Sequence, residues 1–207
     1  MRVETKLANY EEIRPALRTG DLVFTAHRSA FGRVIHVGPG FRRPWHAMVI
    51  SRSGERVEVM ESTAAEAGGR GVRGVQPRFL SDRIADTNGE VWVSPLSDEL
   101  RSWLDEEKML RWMLEQEGRG YSYGQAIWAG LDGLIRILPE NTWSKTYMCS
   151  RFAMAAIRNG FRDEKFAGYY IAREASPTPA QLCRMRGFYG LHWQVKGSKL
   201  HEIGVQA

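Results

Sequence analysis

Two short apolar runs, "HAMVIS" at 46–51 and "RVEVME" at 56–61, are separated by "RSGE". Runs of this length, rich in branched residues and joined through a glycine, form a β-hairpin. With Ser53 and Gly54 as a two-residue turn, Arg52 faces Glu55, Ile50 faces Val57, Met48 faces Val59 and His46 faces Glu61. A four-residue loop in the same register gives the same pairs, whereas a three-residue loop sends His46 and Glu61 to opposite faces. Alternation then puts His46, Met48 and Ile50 on one face with Val57, Val59 and Glu61. Opposed Cβ atoms lie roughly 4.5 to 5.5 Å apart, so the carboxylate can accept a hydrogen bond from the imidazole. Such a bond fixes the ring tautomer and stabilises an imidazolium. It serves equally as a polar end to an apolar stripe, and the hairpin alone does not choose.

Around the hairpin the chain alternates between the two periodicities. Residues 8–18 predict a short helix, "LVFTA" a strand, and "STAAEAGGRGVRGV" a loop before a weak strand. "FLSDRIADT" predicts a short helix and "EVWVSP" a strand. From Ser97 to Gly118, Leu100, Trp103, Leu104, Leu110, Met113 and Leu114 recur at helical spacing, with Asp98 and Glu99 suited to the N-terminus. A further helix is expected through "GQAIWAGLDGLIRIL", another from Cys149, a short one after "SPTPAQL", and a last strand at "LHWQV". Strands in the first half and helices in the second predict an α+β fold with an antiparallel sheet, in one domain spanning 1–207.

Composition narrows the function classes. Cys149 and Cys183 form no metal-ligand pair and no disulfide framework, which suits a reducing compartment, and a cytoplasmic protein is expected. The opening "MRVETKLANYEEIRPALRTG" holds no apolar signal core, and no run approaches the roughly 20 apolar residues of a membrane span. Net charge is +5, with ten arginines (28, 33, 42, 43, 52, 56, 70, 73, 78 and 83) between Arg28 and Arg83. A solvated basic surface is the plainer explanation; nucleic acid, anionic lipid and an acidic polymer are the alternatives, though no nucleic-acid motif accompanies the charge.

From Cys149 the apolar residues fall at Phe152, Ala153, Ala156 and Ile157, which places the cysteine on the buried face at a helix start. Backbone N–H groups there favour a thiolate and can receive the oxyanion of acyl transfer. Most cysteines on apolar helix faces only pack. What weighs against packing alone is the conjunction with a histidine already set against a carboxylate, in the order His46, Glu61, Cys149.

At these residues the chain resembles the permuted NlpC-like, or permuted papain-fold, cysteine hydrolases often described as YiiX-like. The matching stretches are "TGDLVFT", "WHAMVIS", "VEVMEST", "GVRGVQPRFL", "YSYGQAIWAGL", "YMCSRFAMAAIRNG" and "ASPTPAQL", spanning roughly residues 19–182 in the family's order. The resemblance implies a circularly permuted papain-like fold, with an antiparallel sheet or small barrel packed against the helix bearing the cysteine. It implies Cys149 as nucleophile, His46 as base and Glu61 as orienter, acting through a thioester on an amide or ester; no cofactor is expected, and no carboxylate spacing supports a metal. Substrates implied are cell-wall peptides first and lipid acyl esters second, from a bacterial or phage-encoded enzyme; a non-catalytic binding module is the alternative of another class. Relatives carry a small polar residue before the histidine, whereas Pro44 and Trp45 stand here, so substrate shape is expected to differ.

Around this trio, Trp45 and loop 37–45 are expected to border the substrate, with Arg42 and Arg43 meeting an anionic group. Tyr121 and Tyr123 either line the cleft, as the resemblance implies, or pack at a helix start. "GRGVRG" at 69–74 matches a dinucleotide fingerprint in letters only, because Pro77 follows at once and no helix opens there. His192 is the rival base, without a carboxylate across an evident hairpin; His27 and His36 are expected at the surface, and Cys183 in a structural position.

Overall fold

The computed structural model describes residues 5–27, 44, 46–63, 73–121, 146–163, 179–183 and 193–196. Seven strands form one sheet: β1 (Lys6–Asn9), β2 (Leu22–His27), β3 (His46–Arg52), β4 (Glu58–Thr63), β5 (Gly74–Phe79), β6 (Gly89–Ser94) and β9 (Trp193–Lys196). Their order across the sheet is β1-β9-β6-β2-β3-β4-β5, with β7 (Gly120–Tyr121) and β8 (Thr146–Tyr147) pairing separately. The helices are α1 (Tyr10–Ile13), α2 (Leu80–Asp86), α3 (Asp98–Trp103), α4 (Glu106–Glu115), α5 (Cys149–Gly160) and α6 (Pro179–Leu182). The fold is α+β, and its sheet is antiparallel except where β1 joins β9 in parallel.

Both faces of the sheet are covered, and β3 shows it. Ala47 and Val49 enter a core with Leu22, Phe24, Met60, Val75 and the α5 residues Phe152, Ala153, Ala156 and Ile157. Met48 and Ile50 enter a second core with Val23, Val59, Val91 and Val93, capped by Leu80 and Ile84 of α2 and Ile13 of α1. A strand buried on both sides reads as a continuous apolar run, which is why "AMVI" does not alternate. Asp21 clasps the turn before β2: its carboxylate accepts the N–H groups of Arg18 and Leu96 and the Arg101 guanidinium.

Two helical expectations change. The helix expected over 8–18 begins as strand β1 and shrinks to α1 plus a 3₁₀ turn at Arg14–Ala16, where Pro15 sits in the first turn. The single helix expected from Ser97 to Gly118 is two. Leu104 turns extended and bridges Phe161, and the Asp105 side chain then accepts the Lys108 N–H to start α4. The apolar spacing survives the break because Leu104 stays buried while leaving the helix. The helix expected over 124–138 lies outside the described residues.

α5 is held close to α4 by Gly160, where a Cβ would approach Met109 Cβ to 2.6 Å and Leu104 Cδ1 to 2.8 Å. Gly160→Ala is therefore expected to cost about 1 to 3 kcal/mol through overpacking, read as a lower urea midpoint at unchanged m-value. Gly74, last residue of "GRGVRG", opens strand β5 with φ 107°, and a Cβ there would collide with the Arg119 carbonyl. Close backbone approach thus accounts for this glycine.

Candidate active site

The hairpin forms, but in a register displaced by two residues. Met48 faces Glu61, Val49 faces Met60 and Ile50 faces Val59, with an irregularity before Arg52 and Glu58. Two local features cause this. Val57 leaves the ladder to lie buried beneath α2, its carbonyl accepting the Leu80 N–H, and the Ser51 hydroxyl bonds the Glu58 carbonyl across the irregularity. A shift of two preserves parity, so His46 and Glu61 still share a face, now as diagonal rather than directly opposed neighbours. Diagonal neighbours remain within reach of long side chains. His46 Nε2 lies 2.5 Å from Glu61 Oε2.

The helix bearing Cys149 packs on the other face of the sheet, so the topology must bring the thiol round to His46. It does so where β3 and β4 part. Their paired residues end at Met48 and Glu61; beyond, His46 pairs with Thr25 of β2 while Ser62 and Thr63 pair with β5. The start of α5 enters there, packed against both strands, and the Cys149 sulfur accepts hydrogen bonds from the Ala47 and Ser150 N–H groups. The His46 ring is also hydrogen-bonded to the Cys149 side chain, and with Nε2 on Glu61 the nitrogen left for the sulfur is Nδ1.

Electrostatics follow from this line of groups. Burial would raise the Cys149 thiol, but the His46 charge, the hydrogen bond from its ring and the two backbone N–H groups bring it below its ordinary value. Burial would lower His46, yet the thiolate's charge and hydrogen bond, with those of Glu61, raise it to about 9. Burial would raise Glu61, and the hydrogen bond and charge of His46, then Arg83 and Arg78, lower it to about 2. The three shifts run in the directions that favour a thiolate, an imidazolium and a carboxylate in one row. Cys149 is 3% exposed and Glu61 fully buried, while the His46 side chain keeps 13% of its surface.

Arg83 was expected on a solvated basic surface, and the structure corrects this. It is buried, with Nε 3.2 Å from Glu61 Oε2. The signal was present: "LSDRIAD" puts Arg83 on the same helical stripe as Leu80 and Ile84, where a cation needs an internal anion. Arg78 bonds Asp86, and Arg56 lies over the Phe79 ring at 3.7 Å. Tyr121 is half-buried in β7, whose partner β8 ends one residue before the Met148 N-cap of α5. Arg42, Arg43, Trp45, Tyr123, His36 and His192 lie outside the described residues, and His27 ends β2. Cys183 is buried with Phe152 and Ala153.

An α+β sheet carrying a buried thiol, imidazole and carboxylate row can be compared with known proteins. No protein-family model matches the chain, and no curated protein matches it. Among solved structures it is similar to one described as metalloprotein yiiX from Escherichia coli O157:H7, DUF1105, at 16% identity and a TM-score of 0.51, covering 83% of this chain and 94% of that one. The fold is YiiX-like. No helix among the described residues is long and apolar enough to cross a membrane.

Proposed function

We propose that the protein is a cysteine-dependent hydrolase or acyltransferase on a circularly permuted papain-like fold. The observation that carries the reading is the continuous row Cys149, His46, Glu61, in which one imidazole bonds a thiol on one side and a buried carboxylate on the other. The Cys149 thiolate attacks a carbonyl carbon, forming the C–S bond and pushing the π electrons onto oxygen. Backbone N–H groups at the start of α5 hold that oxyanion. His46 gives its Nδ1 proton to the departing amine or alcohol as the oxyanion collapses to a thioester. Neutral His46 then takes a proton from water or another acceptor, which displaces the thiolate and restores the ion pair. Cell-wall peptides are the first substrate class, with lipid acyl esters second.

The neighbour's description as a metalloprotein suggests a metal reading, and the described residues do not fit it. Cys149 and Glu61 engage opposite edges of the imidazole and so cannot share one ion with it. Among the described residues no three His, Cys, Asp or Glu side chains converge as metal ligands. The test is a chloroacetamide probe. Cys149 is expected to label selectively over Cys183, losing selectivity in His46→Ala but not in His192→Ala, and a chelator is expected to leave labelling unchanged. Equal, slow labelling of both cysteines sinks the reading.

A further inference from the structure

We infer that Arg83 is a positioning residue, whose buried guanidinium holds the Glu61 carboxylate behind His46 and lets the imidazole give up and regain its proton. Its geometry stands alone; its consequence for turnover rests on the thiol chemistry proposed above. α2 buries Leu80 and Ile84 against the sheet, and Arg83 lies between them in sequence on that stripe, 5% exposed. A cation so placed is tolerated only against an anion, and Glu61 supplies it.

The carboxylate is held from few directions. Oε2 receives both His46 and Arg83, while Oε1 is buried without a hydrogen-bond partner among the described residues. The groups facing the pair are Cys149 from α5, uncharged Thr25 opposite His46 on β2, Arg83 from α2, and Arg78 from β5. Arg78 carries its own compensation, since it bonds Asp86 at 2.7 Å. Among the described residues the Arg83 side chain pairs with Glu61.

Consider the thioester stage. The thiolate has been consumed and His46 has passed its proton to the leaving group, so Glu61 faces a neutral ring. With Arg83 present the buried carboxylate stays compensated. Without it, Arg78 is already shared with Asp86, and the carboxylate's compensation falls mainly to a proton on His46; a protonated imidazole cannot take a proton from water. Arg83 therefore favours the neutral base that thioester hydrolysis requires.

The experiment uses the full chain with Cys149→Ala, which removes the thiolate as acylation does, and follows the His46 ring by NMR titration. Adding Arg83→Gln is expected to raise its midpoint by roughly one pH unit. Adding Arg83→Lys, which retains the charge, is expected to leave the midpoint within a few tenths of a unit, and it serves where the glutamine variant does not fold. A midpoint unmoved or lowered by Arg83→Gln, or raised by Arg83→Lys as far as charge loss predicts, overturns the inference. A purely structural role would lower the urea midpoint without displacing the titration. With Cys149 restored, Arg83→Gln is expected to shift the acid limb of kcat upward by a similar interval for a deacylation-limited ester. Absence of any turnover in the unmodified chain, alongside a displaced NMR midpoint, would sink the hydrolase reading and leave the role of Arg83 standing.

Discussion

Cys149→Ala is expected to lower turnover of an activated acyl ester by at least about 10⁴-fold, and His46→Ala to lower it by a comparable factor. In the proposed mechanism the two groups act as one unit through the bond between ring and sulfur, so the double variant is expected to be no slower than either single one. Additive losses would mean that the thiol and the imidazole work separately. A Cys149→Ala protein retaining a tenth of the activity would remove the thiol from the chemistry altogether.

The same bond sets the pH dependence. In the proposed mechanism the ion pair is the reactive form, present above the depressed Cys149 value and below the His46 value of about 9. Alkylation of Cys149 by iodoacetamide is therefore expected to rise less steeply with pH than that of an ordinary thiol, which gains roughly tenfold per unit below its pKa. His46→Ala removes the cation and returns Cys149 to the ordinary slope. Shape is the sharper readout than rate, because a low-pKa thiolate is also a weaker nucleophile.

Much of this site was legible in the residues, for identifiable reasons. Helical spacing from Cys149 gave its place at the start of α5, since Phe152, Ala153, Ala156 and Ile157 had to share one face. Parity placed His46 and Glu61 on one face, and that survived a register error of two. The register itself was not readable, because Val57 is captured by α2, a contact with the Leu80 N–H that no pattern inside the hairpin encodes. The break at Leu104 was missed for a related reason: its partner Phe161 is distant in sequence. Nor does any local signal show that β3 and β4 part to admit a thiol from the opposite face. Arg83 was the most recoverable omission, since a charge on an apolar stripe calls for a partner.

Glu61→Ala is expected to destabilise the fold by about 3 to 5 kcal/mol, because it strands the buried Arg83 without an anion as well as freeing the His46 ring. Adding Arg83→Met to that background is expected to recover most of the loss, as replacing both members of a buried pair costs far less than breaking it. Urea melts of the two variants decide it, and equal instability of both would show that the pair is not the cause. Glu61→Gln separates stability from chemistry. It keeps the volume and a carbonyl acceptor for the Arg83 N–H, so it is expected to destabilise less than Glu61→Ala, but it no longer stabilises the imidazolium, so turnover of the folded variant is expected to fall roughly 10²- to 10⁴-fold. Acid unfolding gives an independent check. Glu61 has its value lowered from 4.5 to about 2, so its contribution, about 3 kcal/mol, is present above pH 4.5 and is lost as pH falls through 2. His46 runs the other way: raised from 6.5 to about 9, it stabilises fully below 6.5 and ceases to do so as pH rises through 9. The unmodified protein should therefore lose stability on acidification more steeply than Glu61→Gln. Parallel curves for the two would mean that Glu61 is not held as the buried anion on which both His46 and Arg83 depend.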